Sequence, residues 1–318
     1  MENTKTLYSL QLLRFIASIL VLCFHLEFIK SGYKGVDIFF VISGFVMYFT
    51  TFILKPKDAA TFIINRITKI YILYWLIMLL HYLFFPYNLN IALVKTFLLT
   101  PGHSSILGVS WSLSYELYFY FIFGSSVYLL QKKYFKVVFF LLFVFSSCIT
   151  LINTTHLSIK GTPLNFLLGQ NLWEFLLGIL SALVYHKIYN KTNPIIAVAF
   201  SLLSLSLILL IDLPYMYTYA YIIYGILSFC IVLSFTVFEY KIPVYSTGKN
   251  LFKILGDASY AIYLLGPLVT SILIKYNYPK VTVIPLTIIL SVFINRFAEM
   301  KLLKTTRRFL YKYISPVK

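Results

Sequence analysis

The chain has 318 residues, of which 60% are hydrophobic and 12% are charged. A soluble domain carries about 25% charged residues, so this chain has too few to cover a water-exposed surface. The net charge of +17 does not indicate nucleic-acid binding, because the basic residues lie in short segments between apolar runs. The composition therefore predicts an integral membrane protein and excludes a soluble globular fold.

Ten apolar runs are candidates to cross a bilayer, for which a helix needs about 20 residues. The predicted spans are Leu7–Ile29, Gly35–Leu54, Ile70–Phe85, Trp111–Leu130, Phe135–Ile152, Leu164–Tyr185, Pro194–Leu213, Tyr217–Phe238, Phe252–Ile274 and Val281–Met300. The third is short, and the amphipathic stretch Asp58–Lys69 before it is predicted to lie on the membrane surface. No internal repeat or soluble segment is visible, so residues 1–318 are predicted to form one all-α transmembrane domain.

The distribution of lysine and arginine sets the orientation. With the N-terminus inside, the cytoplasmic segments carry 19 of these residues and the outer segments carry 6. The positive-inside rule then places both termini in the cytoplasm, which agrees with an even number of spans. Cys23, Cys148 and Cys230 lie far apart in apolar runs, so neither a disulfide nor a metal site is predicted.

Ionisable residues inside the spans are candidates for function, because burying a charge in a membrane is costly. They are Arg14, His25, Glu27, Asp37, Glu116, Glu174, Arg296 and Glu299. In the last span, Arg296 and Glu299 have opposite charges and are three positions apart, a spacing that brings side chains together on a helix. We therefore predict an ion pair between Arg296 and Glu299.

His25 is the most informative of these residues. It follows Arg14 by 11 positions, so on an ideal helix the two directions differ by only ~20° and the residues are ~16 Å apart along the axis. Asp37 begins the second span and Glu116 lies five residues after Trp111, so His25, Asp37 and Glu116 are predicted at one depth, towards the outer surface. An imidazole beside carboxylates suits general base catalysis. A structural polar cluster and a transport pathway remain alternatives.

A second group of charges is predicted at the cytoplasmic face. Arg66 and Lys69 are one helical turn apart and could bind a phosphate group from the cytosol. For an isolated Arg-x-x-Lys pair, simple positive-inside anchoring is the more common explanation.

Five segments, in order, resemble the motifs of the membrane-bound acyltransferase-3 family of bacterial O-acyltransferases. They are LQLLRFIASILVLCFH, GYKGVDIFFVISGFVMYF, FIINRITKIYILYWL, VSWSLSYELYFY and LGDASYAIYLLGPLV. The resemblance covers nearly the whole chain. It departs from the family pattern where Lys69 replaces a common Arg, where Ile72 replaces a common Pro and where Gly266 replaces a common His.

The resemblance implies acyl transfer, usually of acetyl, from cytosolic acyl-CoA to a carbohydrate hydroxyl at the bacterial cytoplasmic membrane. The acceptor is expected to be an exopolysaccharide, an O-antigen or a related glycan. On the same basis His25 acts as a general base or as a transient acyl carrier, supported by Glu116 and Asp37. The positively charged residues Arg14, Arg66 and Lys69 are expected to bind the CoA.

Further residues of the matched segments are expected to contact substrate, namely Trp111, Ser114 and Tyr260. Two other classes of protein remain open at this point. A transporter or flippase for lipid-linked sugars would also place charges inside the membrane, but it would favour two similar halves. A non-catalytic sensor or scaffold built on the same fold would not require His25.

Overall fold

A computed structural model describes residues 6–54, 59–86, 91–101, 107–129, 132–153, 163–189, 191–213, 218–241 and 246–314. Nearly all of these residues are helical, and no strand occurs among them. The prediction of an all-α membrane protein is confirmed. Both chain ends, which are predicted to be cytoplasmic, lie outside the described residues.

Thirteen α-helices occur in the described ranges. They are α1 (Tyr8–His25), α2 (Gly35–Tyr48), α3 (Ala59–Phe84), α4 (Ile91–Phe97), α5 (Trp111–Leu129), α6 (Lys132–Ile152), α7 (Pro163–Leu168), α8 (Gln170–Ile188), α9 (Pro194–Leu210), α10 (Thr218–Lys241), α11 (Ser246–Lys275), α12 (Lys280–Ile294) and α13 (Met300–Ile314). A π-helical segment, Phe49–Leu54, extends α2, and a second one, Asn295–Glu299, joins α12 to α13.

Each of the ten predicted spans corresponds to a helix. Eight helical stretches of the described chain are long and apolar enough to cross a membrane. The other two predicted spans are α5, which contains several polar residues, and α9, which is a shorter apolar helix of 17 residues. The third span is longer than predicted: α3 runs for 26 residues from Ala59, so the amphipathic stretch and the span form one continuous helix.

The chain forms two compact units. The first unit comprises Met1–Pro56 and Leu129–Gly256, and the second comprises Lys57–Tyr128 and Asp257–Lys318. Helices α1, α2 and α6 to α10 belong to the first unit, whereas α3, α4, α5, α12 and α13 belong to the second. Helix α11 begins in the first unit and ends in the second.

Helix α2 packs most extensively against α8, and two glycines allow this close approach. A Cβ atom at Gly44 would collide with the carbonyl oxygen of Phe175, and one at Gly178 would collide with that of Val41. Small residues at such crossings let two membrane helices approach closely, which strengthens packing in the absence of a hydrophobic driving force. The two glycines therefore fix the position of α2 and its first-turn residue Asp37.

A side chain from α10 caps the start of α1. The carboxylate of Glu239 accepts hydrogen bonds from the backbone N–H groups of Tyr8, at 2.6 Å, and Ser9, at 2.9 Å. It also accepts one from the Ser9 hydroxyl, at 2.8 Å. The first N–H groups of a helix have no partner within the helix, and a negative charge near them is stabilising. The C-terminal end of α10 thus lies beside the N-terminal end of α1, as for antiparallel neighbours.

The end of α1 has an unusual turn. The N–H of Phe28 donates to the carbonyl of Cys23 and that of Glu27 to the carbonyl of Phe24, each at 2.9 Å, which is the Schellman arrangement. Glu27 occupies the left-handed position of this motif with φ 64°, where glycine is the usual residue. The chain therefore carries local backbone strain two residues after His25.

The long connection between α3 and α5 folds back along α3. The hydroxyl of Tyr74 donates to the carbonyl of Thr96 at 2.8 Å, and the indole N–H of Trp75 donates to that of Phe97 at 3.2 Å. Because α3 ends at Phe84, this contact lies ~15 Å from the end of the helix. The last carbonyls of α4 are therefore satisfied by side chains from the middle of α3.

Helix α5 begins beside the middle of α11 rather than beside its end. The hydroxyls of Ser112 and Tyr263 are 2.8 Å apart, and Tyr263 donates to the carbonyl of Val109 at 2.9 Å. Tyr263 precedes the end of α11 at Lys275 by ~18 Å. Apolar side chains remain exposed near this end, as for Ile274 at 50%. Helix α5 therefore begins at Trp111, as predicted, and its first turn is held against the middle of α11 within the second unit.

The glycine contact between α2 and α8 can be tested with Gly44→Ala. The added methyl group overlaps the backbone of α8, so we expect overpacking to lower stability by about 1–3 kcal/mol. The measurement is the thermal unfolding midpoint of the purified protein in detergent. Gly108→Ala is the matched control, because a Cβ at Gly108 meets no atom within 4 Å. An equal midpoint for the two variants would contradict the close-packing account.

Candidate active site

His25 and Arg14 lie on the same helix in the first unit. His25 is the last residue of α1, and its imidazole is exposed and packs edge-on against Phe24, with ring centroids 5.4 Å apart. Among the described residues, it makes no hydrogen bond and no ion pair. Arg14 is half-buried and donates to the side chain of Gln11 at 3.3 Å. The imidazole is thus accessible, whereas the guanidinium is held by a neighbour one turn away.

Asp37 lies in the first turn of α2, where its carboxylate is 4% exposed and favourably placed near the helix N-terminus. Its charged neighbour is Lys34, which is only 1% exposed. The Lys34 ammonium donates to the carbonyls of Ile208, at 3.0 Å, and Ile211, and lies 4.0 Å from the carboxylate of Asp212. A buried cation therefore joins the start of α2 to the end of α9.

Two tyrosines surround this cation. The ammonium of Lys34 lies 4.5 Å from the ring centroid of Tyr224 and 5.5 Å from that of Tyr33. The hydroxyl of Tyr33 in turn approaches Asp212 at 3.5 Å. Cation–π contacts of this kind gain strength when the cation is removed from water. Together with the carbonyls, they offset part of the cost of burying Lys34.

Glu174 on α8 is the most deeply buried acid of the first unit. Its side chain is 0% exposed, and its carboxyl group interacts with that of Asp37. It also packs against Gly225, where a Cβ atom would lie 3.3 Å from the Glu174 side chain. Two buried carboxylates repel each other, so this pair requires a nearby cation or a shared proton. Lys34 is the cation that acts on the Asp37 member of this pair.

Sequence reasoning missed the roles of Lys34 and Glu174. Lys34 precedes the second span, where a lysine normally belongs to the polar segment, and Glu174 is only one of several ionisable residues inside the spans. The signal that could have found Lys34 is its spacing of three residues from Asp37, which favours one helical face. Asp37 has its charged contacts with Lys34 and Glu174, so its predicted support of His25 stays a prediction.

The second unit brings Glu116 and Arg66 together through Tyr120. The Tyr120 hydroxyl donates to the carboxylate of Glu116, one turn earlier on α5. The guanidinium of Arg66 lies 5.6 Å from the ring centroid of Tyr120 and 5.6 Å from that of Phe62. Sequence reasoning missed Tyr120, although its spacing of four residues from Glu116 places both side chains on one face.

Tyr260 extends this polar group towards α11. Its hydroxyl donates to the carbonyl of Ile70 on α3 at 3.2 Å and lies within electrostatic range of Glu116 and Glu299. Glu299 is 1% exposed and accepts a hydrogen bond from Asn295 at 2.8 Å. Of the predicted second-unit residues, Arg66, Glu116 and Tyr260 therefore share one polar network.

The other predicted residues of the second unit lie nearby in the chain. Trp111 is 45% exposed and stacks edge-on with Tyr115, Ser114 is buried, and Lys69 is half-buried one turn after Arg66. The predicted Arg296–Glu299 ion pair is wrong: Arg296 is exposed and makes no ion pair within the described chain. The π-helical turn Asn295–Glu299 alters the spacing on which that prediction depended.

The chemistry available differs between the units. The first unit offers an exposed imidazole and a buried set of one cation and two acids. The second unit offers a carboxylate hydrogen-bonded to a tyrosine, with a guanidinium on the same aromatic ring. In general an imidazole can act as a base, and a guanidinium can bind a phosphate group.

The Lys34 contacts predict a large effect of Lys34→Met. The substitution leaves the carbonyls of α9 and the Asp37–Glu174 acid pair without their cation, so we expect a loss of about 3 kcal/mol of stability. The measurement is the thermal unfolding midpoint in detergent. Lys30→Met is the matched control, since Lys30 is exposed four residues earlier. If both variants unfold at the wild-type temperature, the contacts of Lys34 do not stabilise the packing of α2 against α9.

Comparison with known proteins agrees with the motif resemblance. Residues 7–296 match the model of the Acyl_transf_3 family, which describes an acyltransferase domain. No curated protein and no solved structure matches the chain. The matched region includes every predicted site residue and nearly all of the apolar helices. The chain is therefore a multi-pass membrane acyltransferase that belongs to the acyltransferase-3 family.

Proposed function

We propose that the chain transfers an acyl group, acetyl in the first instance, from cytosolic acyl-CoA to a hydroxyl of a cell-surface carbohydrate. The acceptor is an exopolysaccharide, an O-antigen or a related glycan, or its lipid-linked precursor. The reaction takes place in the bacterial cytoplasmic membrane, with both chain termini in the cytoplasm. Family membership supports acyl transfer, and the side chains described above support the choice of donor.

The exposed imidazole of His25 is the observation that carries this proposal. It closes an 18-residue apolar helix and is the one side chain of α1 whose ordinary pKa lies near neutral pH. Because the side chain of His25 is exposed, a packing role within the helix bundle does not explain why a histidine occupies this position. A general base must be accessible to the proton that it removes.

The proposed step balances without a metal or a redox partner. An imidazole nitrogen of His25 takes the proton of the acceptor hydroxyl while the oxygen attacks the thioester carbonyl. The C–S bond then breaks, and the leaving thiolate receives the proton from the imidazolium, giving an ester and free CoA. In the alternative sequence of steps, the imidazole attacks the thioester first and forms an acyl-imidazole. The acceptor hydroxyl then attacks this acyl-imidazole and takes the acyl group.

Cations on the cytoplasmic side hold the donor in this proposal. Arg66 and Lys69 bind phosphate groups of CoA, and Arg14 is a further cation for the donor. The carboxylate of Glu116 orients the reacting groups and is itself held by Tyr120.

The role of His25 predicts the result of His25→Gln. Removing the base should lower acetyl transfer by about 100-fold or more, because general base catalysis contributes 10²–10⁴. The measurement is transfer of radiolabel from acetyl-CoA to glycan in membrane vesicles. His186→Gln is the control, an exposed histidine near the end of α8. Full transfer by His25→Gln would remove His25 from the mechanism.

The contact between Tyr120 and Glu116 predicts a smaller effect. Tyr120→Phe keeps the ring beneath Arg66 but removes one hydrogen bond to a carboxylate, so the rate should fall about tenfold. The same vesicle assay measures it, and Tyr128→Phe is the control because Tyr128 is 78% exposed on the same helix. Equal rates for the two variants would show that Tyr120 does not position Glu116.

A further inference from the structure

Aromatic rings lie beside the imidazole of His25 at the end of α1. The ring of Phe24 is 37% exposed and packs edge-on against two other rings. Its centroid lies 5.4 Å from that of His25 and 5.5 Å from that of Tyr33. Phe28, three residues after His25, is exposed as well. The candidate base is therefore the first of three rings in contact, all of them in the first unit.

A carboxylate lies at the far end of these three rings. The side chain of Asp212, which follows α9, is 59% exposed, and its Oδ1 lies 3.5 Å from the hydroxyl of Tyr33. Its ion pair with Lys34 is long, at 4.0 Å, and the Lys34 ammonium already donates to two backbone carbonyls. Asp212 is thus held only by long contacts. Its second carboxylate oxygen accepts no hydrogen bond from the part of the chain that the structure describes.

The charges around these rings indicate that this surface faces a polar environment rather than hydrocarbon. Glu27 and Lys30 are exposed within five residues of His25, and Asp212 is exposed at the end of α9. Exposed charges inside a bilayer are costly, so both helix ends belong at the membrane boundary. With the proposed orientation this is the outer boundary, where a cell-surface glycan is available.

We propose that Phe24, Tyr33 and Asp212 form a subsite for the carbohydrate acceptor, which binds a sugar unit without negative charge. The inference rests on the proposed function for the class of its ligand. A carboxylate accepts hydrogen bonds and donates none, so it suits a ligand whose polar groups are hydroxyl donors. The two rings supply an apolar surface for the C–H face of a sugar, and the carboxylate fixes its orientation.

The order of the contacts also assigns which hydroxyl the subsite holds. Phe24 and Tyr33 separate Asp212 from His25 along the row of rings. The carboxylate therefore binds a hydroxyl other than the one that the imidazole deprotonates. Asp212 is a binding residue in this arrangement and takes no part in the proton transfer.

The test uses the full-length protein in phosphatidylcholine nanodiscs, where both faces are open to added substrates. The acceptor is surface polysaccharide of the producing bacterium, de-O-acetylated and cut to oligosaccharides, and the donor is radiolabelled acetyl-CoA. Asp212→Asn should raise the KM for the oligosaccharides about tenfold, because a hydrogen bond to a charged group is weakened. Its kcat and its KM for acetyl-CoA should stay within about twofold of wild type.

Glu27→Gln is the matched control for the loss of charge. It makes the same change of acid to amide at another exposed acid of the first unit, two residues from His25. It should leave the KM for the oligosaccharides within about twofold of wild type. If Glu27→Gln raises this KM as much as Asp212→Asn does, surface charge in general causes the effect, and the subsite is wrong.

A purely structural role for Asp212 gives a different result. As a partner of Lys34 alone, Asp212 would support helix packing. Asp212→Asn would then lower the unfolding midpoint and leave the KM for the oligosaccharides unchanged, which would overturn the inference. Should Asp212→Asn fail to fold, Tyr33→Phe decides, since it keeps the ring and removes the hydroxyl beside the carboxylate. That variant should raise the same KM about threefold, and an unchanged KM would contradict the subsite.

The remaining outcomes separate the inference from the proposed function. If wild type transfers acetyl but Asp212→Asn keeps the wild-type KM, the subsite is wrong and the function survives. If wild type transfers no acetyl, the proposed function fails, and calorimetry without donor measures binding of the same oligosaccharides. Weaker binding by Asp212→Asn would then keep the carbohydrate subsite. Equal binding by the two proteins, or no binding by wild type, would overturn the subsite as well.

Discussion

Hydrocarbon offers no hydrogen bonds, and this constraint shapes every part of the described structure. Backbone groups in the spans are satisfied within helices, and helix ends inside the bundle need partners from elsewhere in the chain. Glu239 serves the first N–H groups of α1, Lys34 serves the last carbonyls of α9, and Tyr74 and Trp75 serve those of α4. Each of these contacts joins two helices while removing an unsatisfied polar group.

The same constraint explains how much of the fold could be predicted from the sequence. Long apolar runs allow only helices in a membrane, so the ten spans correspond to helices. The start of α3 could not be predicted, because charges such as Arg66 lower the hydropathy without breaking the helix. The contact of the start of α5 with the middle of α11 could not be predicted either, since it depends on a pairing of Ser112 with Tyr263 that is distant in sequence.

The site was only partly predictable for a similar reason. Burial of Asp37 follows from its place at the start of an apolar run. The burial of Lys34 does not, because a lysine before a span normally reaches the polar headgroups, and only the contact with α9 reveals its position. Glu174 illustrates the same limit, since its neighbour Asp37 lies on a helix distant in sequence. The contact of Tyr120 with Glu116, by contrast, could have been predicted, because the two residues are four positions apart on one helix.

The acids, bases and cations are not spread evenly over the molecule. In the first unit, the imidazole is exposed and the charged cluster is buried, which separates a group that must meet substrates from groups that hold helices together. In the second unit, one aromatic ring, that of Tyr120, contacts both a cation and, through its hydroxyl, an acid. A single residue thereby links the proposed donor side to the proposed acid.

The left-handed Glu27 gives the end of α1 a dynamic character. A non-glycine residue in this conformation costs about 1 kcal/mol relative to glycine, and the cost is released when the last turn opens. A free-energy difference of this size raises the equilibrium constant for opening the last turn of α1 about fivefold. His25 sits in that turn, so opening of the turn would move the backbone that carries the imidazole without any movement of whole helices.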